Sequence, residues 1–323
     1  MNTMLPPRPH RLPLALALVA FLAVQAACAP SPSEEPAPDT TAVAGGVDLG
    51  PGADGFPTID STGPLVPRSE MERSESVSSE ADGQVIENLE VDGRVRIVHS
   101  NVVLRNVRIN HIATQPGQYA LLIEENEEGV CPTGVRIEHV EVVGDPAILD
   151  DQAKAVYAPC PLTLEDSRVY GVGSAVRLTS GSVLRGNYIL ADFSNEGSDT
   201  HRSAIGINGG SDNVIDGNTV TCEGPGCSGA LVMYGSNARI ADTLVTGNLF
   251  NTTGSYCTYA GSLDSKPFPT ALNVHYLDNV FGQRYFETCG RYGPVAGLNS
   301  GGGPGFVWQG NTWQESGDDV SFG

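Results

Sequence analysis

Lysine is almost missing from this chain of 323 residues. Lys154 and Lys266 are the only two, and 18 basic residues face 38 acidic ones, for a formal net charge of −20. A surface this acidic repels phosphate backbones, which excludes nucleic acid as a partner, and it disfavours anionic lipid headgroups. Long apolar runs are missing too. The longest, Leu12 to Val24, falls short of the ~20 residues that a helical span of a bilayer needs. No apolar pattern of period 3.6 is sustained, so helical solenoids are excluded. There is no Gly-rich phosphate loop, no Gly-x-Ser-x-Gly elbow, no His-Glu-x-x-His helix and no Cys-x-x-Cys pair. The nucleotide, serine-hydrolase, metalloprotease and zinc-site chemistries served by those motifs therefore have no support.

What is present begins with an export signal. Arg8, His10 and Arg11 precede the apolar stretch, and small residues then lead to Gln25-Ala26-Ala27-Cys28. This resembles the bacterial lipobox, in which the cysteine is diacylated and becomes the first residue. The alanines fit; Gln25 departs from the usual aliphatic residue, and ordinary signal cleavage nearby stays open. Residues 1–27 are read as the signal peptide and Cys28 as the lipidation site. Residues 28–50, rich in Pro, Ala, Ser and Glu, have too little to bury and are read as a disordered stalk. Residues 51–82 are a capping or transition segment, with a strand at Gly55–Ile59 and a short helix within Glu70–Glu80. The expected location is extracytoplasmic, with the membrane touched only through the lipid.

Six further cysteines fit an oxidising compartment, and of their 15 pairings proximity along the chain favours three. Cys222 and Cys227 bracket the tight turn Glu-Gly-Pro-Gly, while Cys131 with Cys160 and Cys257 with Cys289 each flank one segment of repeat. A structural metal site is the weaker alternative, since no histidine lies near these cysteines.

From Gly83 onward, short alternating runs recur between Gly, Asn and Asp turns. Val183–Ile189, Val214–Val220, Leu244–Phe250, His275–Phe281 and Val307–Trp313 share one pattern, apolar-polar-(Gly/Asp)-Asn-x-apolar. Their asparagines, Asn187, Asn218, Asn248, Asn279 and Asn311, follow one another at 31, 30, 31 and 32 residues. A fixed period in this range means stacked supersecondary units. The corner asparagine suits a left-handed bend, its side chain bonding its counterpart one coil away. Residues 83–323 are therefore expected to form an all-β, single-stranded right-handed parallel β-helix. A β-sandwich or propeller is the rival fold; it would need two-residue hairpin turns or a period of ~40–45 residues.

Gly171–Leu178, His201–Gly210 with Asn213–Asn218, Ser228–Met233, Cys289–Val295 and Trp308–Trp313 carry a resemblance to the right-handed β-helix proteins of the pectin lyase-like superfamily. More narrowly, the chain resembles secreted bacterial β-helix repeat proteins, over roughly residues 83–317. The resemblance implies a polysaccharide partner and, through bound carboxylates, leaves Ca²⁺ open as the one cofactor. In similar proteins the stretch at His201–Ile207 commonly reads His-x-Asp-Gly-Ile, and a Glu-Asp-Gly run is frequent at Gly173–Ala175. Here Ser203-Ala204 and Ser174-Ala175 stand instead, so two carboxylates are missing. The fold alone specifies no reaction.

β-Elimination on a uronate chain needs a base, a charge to neutralise the carboxylate and help for the leaving oxygen. Asp199, His201, Arg202, Lys266 and Arg291 are the catalytic candidates, on the turn before Ala204 and on two later loops. A solvated Asp-His loop and surface ion pairs are their plain alternatives. Asp192, Asn208, Tyr234, His275 and Tyr292 are candidates for substrate contact, tyrosines offering faces on which sugar rings stack. No metal cluster is legible, and a monomer is expected. Two functions remain at this point: elimination or hydrolysis of a polysaccharide, or a non-catalytic glycan-binding or adhesive β-helix.

Overall fold

The computed structural model describes residues 55–321. The signal peptide, Cys28 and the stalk lie outside the described residues. Three long sheets, each with parallel pairing throughout, make the body. Sheet 1 stacks ten strands from Glu72–Ser74 to Thr312–Trp313; sheet 2 stacks nine, from Val77–Ser78 to Val295–Leu298; sheet 3 stacks Val85–Glu87 through Val307–Gln309. The chain visits sheets 1, 2 and 3 in turn and then repeats, which is a parallel β-helix. The one antiparallel bridge among the described residues joins Thr312 to Asp319, so the hairpins of a sandwich or propeller are absent there.

Register aligns the alternating apolar positions into columns. In sheet 1, Val91, Ile109, Val142, Val169, Ile189, Val220, Phe250 and Phe281 superpose, all almost fully buried. Fully burying one such side chain contributes ~1.5–3 kcal/mol, so the column is a main source of stability. Toward the last coils aromatics replace aliphatics. Tyr276 stacks on Trp308 at 5.3 Å and Phe281 lies 5.4 Å from Trp308. Large rings there close the end of a core that would otherwise expose strand edges.

The corner between sheets 3 and 1 is the constant element. Asn88, Asn106, His139, Asp166, Gly186, Gly217, Gly247, Asp278 and Gly310 occupy it, all with φ between 48° and 66°. The left-handed residue is thus the one before the repeat asparagine, not the asparagine itself. Gly, Asn and Asp suit that backbone, while the asparagine turns inward and is buried. Its Nδ2 donates to the next Oδ1 in an unbroken ladder at 2.9 Å per step from Asn187 through Asn218, Asn248 and Asn279 to Asn311. A buried amide with both ends occupied satisfies the corner that bare backbone would leave unpaired.

The start of the solenoid differs from expectation. Glu72–Ser74 and Val77–Ser78 are strands of a first coil, paired with Leu89–Asp92 and Val95–Ile97. No helix forms in Glu70–Glu80; a single 3-10 turn at Arg68–Glu70 precedes the coil. The four serines and the β-branched Val77 lower the helical propensity of that stretch, and a parallel edge was there to be paired. Gly55–Ile59 is not a strand. Instead residues 58–70 lie as a strap along sheet 1: Arg168 Nη1 donates to the carbonyls of Ile59 and Thr62 (2.7 Å each), Gly63 N–H to Asp166 O, Leu65 N–H to Asn106 Oδ1, and Arg68 pairs with Glu90.

Among the described residues three disulfides form, Cys131–Cys160, Cys222–Cys227 and Cys257–Cys289. They are consistent with an extracytoplasmic location.

Candidate functional site

Sheet 2 differs from the other two in its borders, because the long insertions of the solenoid enter and leave through its strand ends. Residues 145–153, 192–201 and 282–294 lead into it, and 208–213, 235–239 and 263–271 lead out. Such loops on a regular scaffold are where binding residues are placed. Its register sets Tyr157 beside Arg177, then Gly206, Val232 and Tyr259, and sets Tyr119 beside Lys154 and Ser174. At ~4.8 Å per strand, Tyr157 to Tyr259 spans roughly 19 Å.

A cleft of about 370 Å³ opens over this face, lined by Tyr119, Lys154, Tyr157, Arg177, Asn208 and the loop at Asn237-Ala238, among others. The rings of Tyr119 and Tyr157 lie 4.5 Å apart at one side. The Arg177 guanidinium lies over Gly206, where an added Cβ would come within 2.1 Å of Nη1. Nη1 donates to Ser203 Oγ at 2.8 Å and Nη2 to Ser174 Oγ at 3.2 Å. The two serines noted for replacing carboxylates therefore hold an arginine. Lys154 Nζ donates to Gln152 O at 3.0 Å. Among the described residues neither cation makes an ion pair. Loss of water pushes Arg177 down to about 10, and it lowers Lys154 too, with Arg177 adding to the effect and Asp150 opposing it.

An aromatic strip continues from the cleft. Tyr234 meets Tyr259 at 5.3 Å, Tyr259 meets Tyr256 at 5.7 Å and Tyr256 meets Tyr292 at 5.9 Å. Lys266 Nζ sits 4.3 Å over the Tyr234 ring. Burial raises the Tyr234 hydroxyl above the ordinary tyrosine range, Tyr259 raises it further, and Arg177 pulls it back, so strip and cleft are electrostatically continuous.

Of the residues singled out from the sequence, Asn208, Tyr234, Lys266 and Tyr292 belong to this face. Asp192, Asp199 and His201 are exposed on the loop that enters sheet 2. Arg291 borders a different hollow, with Phe286 and Gly224–Cys227, its guanidinium 5.7 Å from the Phe286 ring. His275 stands in sheet 3 between Leu244 and Val307. Arg202 has no catalytic face. It is 1% exposed, and its guanidinium donates to the carbonyls of Pro225, Phe193, Glu223 and Gly173, tying two loops together. A charge at the mouth of a loop was readable from sequence; its inward turn was not.

Tyr119, Lys154, Tyr157 and Arg177 escaped the sequence reading. The available signal was a lone cation inside each of two alternating strands, Lys154–Ala158 and Ser174–Leu178. Calcium does not fit this lining: it presents no carboxylate, and no group of three or more His, Cys, Asp or Glu that could hold a metal occurs among the described residues. Set against known proteins, the chain matches no family model, no curated protein and no solved structure.

Proposed function

We propose that this protein is an exported, lipid-anchored β-helix that binds an acidic polysaccharide along the outer face of sheet 2. The single observation carrying the reading is the pair Lys154 and Arg177. In a chain of net charge −20, two cations without a carboxylate partner share one cleft with a pair of tilted, adjoining tyrosine rings. Unpaired, partly desolvated charge is costly unless a ligand supplies the counter-charge. The tyrosine strip offers faces for the sugar rings that follow. The lipobox-like Cys28 and the pectin lyase-like resemblance support the location and the ligand class.

Hydrolysis by paired carboxylates finds no support in the cleft lining. Elimination keeps one specific support: Lys154 lies below the ordinary lysine range, so more of it is neutral and able to take a proton beside a uronate carboxylate held by Arg177. The test is to incubate the purified mature chain with a panel of acidic and neutral polysaccharides. Affinity electrophoresis reads retention, while ultraviolet absorbance and reducing ends read products. Retention of acidic chains without products supports binding alone, and unsaturated products would establish elimination. Absence of both retention and products would sink the proposal.

A further inference from the structure

Resting on the polysaccharide reading, we infer that this cleft takes the anionic group of its glycan directly, with no divalent cation between protein and sugar. Ser174 and Ser203 are the positioning residues that make this so. A bridging Ca²⁺ needs six to eight oxygen ligands, carboxylates chief among them. The cleft instead presents an ammonium and a guanidinium, which repel a dication and attract an oxyanion.

The serines decide what Arg177 is free to do. A hydroxyl accepts a guanidinium N–H without neutralising it, so both bonds orient Arg177 and leave its charge intact. A carboxylate at either place would form a charge-assisted pair and remove that charge from the cleft. Gly206 completes the arrangement, since only a residue without a Cβ leaves room for the guanidinium above it. The nearby negative groups do not cancel this pair. Asp150 acts on Lys154 only as a minor opposing influence, the Tyr234 hydroxyl is held protonated, and Glu124 beside Tyr119 is paired with Arg96. Poor access of water strengthens whatever attraction remains.

The experiment uses the mature oxidised chain, a polyuronate and inorganic sulfate. Calorimetry follows polyuronate binding in EDTA and in CaCl₂, and thermal melting follows stabilisation by sulfate. The expected results are equal polyuronate affinity in EDTA and in calcium, and a loss of roughly 10- to 100-fold in Arg177→Gln and in Ser203→Asp. Ser203→Thr should retain binding. Ser203→Asp should melt no lower than the parent, because it gains an internal ion pair; if it fails to fold, Arg177→Gln and the EDTA comparison decide. Binding abolished by EDTA and restored by calcium overturns the inference. So does polyuronate binding at parental affinity in Arg177→Gln, which leaves the polysaccharide reading standing. Sulfate stabilisation lost in Arg177→Gln, with no polysaccharide retained by the parent, upholds the direct anion site and defeats the glycan reading instead.

Discussion

Replacing Asn248 by alanine tests the asparagine ladder at its centre. Asn248 is fully buried. Its Oδ1 accepts from the backbone N–H and the Nδ2 of Asn218 at 2.9 Å each, and its Nδ2 donates to Ile215 O at 2.8 Å and to Thr246 O and Asn279 Oδ1 at 2.9 Å. Several partners survive the change: Asn218 Nδ2 keeps the carbonyls of Leu184 and Asp216, and Asn279 Oδ1 keeps the Asn248 backbone N–H. One group is left without a partner, the Asn218 N–H; Ile215 O loses its side-chain donor but stays within the parallel ladder of Val214–Asp216 with Leu244–Thr246. At ~1–3 kcal/mol for a buried polar group left unsatisfied, plus ~1 kcal/mol for the small void, the expected loss is ~2–4 kcal/mol. Asn248→Asp should cost at least as much at neutral pH. It keeps the acceptor but sets an anion 2.8–2.9 Å from Ile215 O and Asn279 Oδ1, and on acidification it should recover toward the parent as the acid regains one donor. Urea unfolding of the oxidised chain, followed by circular dichroism, measures both. A loss below ~1 kcal/mol for Asn248→Ala would refute the claim that the ladder carries the corners, because an unsatisfied buried amide cannot be that inexpensive.

Three further outcomes follow from the same geometry. Arg202→Met should lower stability by ~2–4 kcal/mol, read by unfolding, and should leave polysaccharide affinity of the folded fraction unchanged; a selective affinity loss would return Arg202 to the binding site. His111 is buried without a hydrogen-bond partner for Nε2 among the described residues, and burial lowers its pKa to about 4. The unfolded chain therefore binds a proton below ~6.5 that the native chain refuses, so this contribution to stability is full above that pH and falls as pH drops toward 4. His111→Leu should flatten the pH dependence of the unfolding midpoint in this window, and an unchanged slope would disprove the assignment. Removing Cys131–Cys160, which closes 29 residues, should cost ~3.5 kcal/mol, against ~2 for Cys222–Cys227, which closes five; paired Cys→Ala variants compared by urea midpoint decide the order.

Coils late in the chain declared a fixed period, whereas early ones were legible only as alternating runs, for a physical reason. Between Gly186 and Gly310 the corners recur every 30–32 residues, because the loops beside sheet 2 have settled lengths. Between Asn88 and Gly186 the steps are 18, 33, 27 and 20 residues. The corner chemistry is the same there, but Asn, His and Asp stand where, Asp278 apart, glycine stands later, and no fixed period betrays them. That irregularity hid the alignment of Lys154 with Ser174 and of Tyr157 with Arg177, and with it half of the cleft. The local cysteine pairings were readable because short loops bring their own ends together. Arg202 misled because loop position says nothing of which way a side chain turns: four carbonyls from neighbouring segments decided it.

The strap of residues 58–70 gives the domain an unusual way of bearing tension. The chain comes in beside the fourth corner, at Asp166, runs back past Asn106 to Glu90, and only then winds its first turn. A pull from the N-terminal side therefore meets the flank before it can unwind the terminal coil. Hydrogen bonds at Arg168 and Gly63 would share the load in shear and yield first, as a fuse does, while the rungs beneath stay wound.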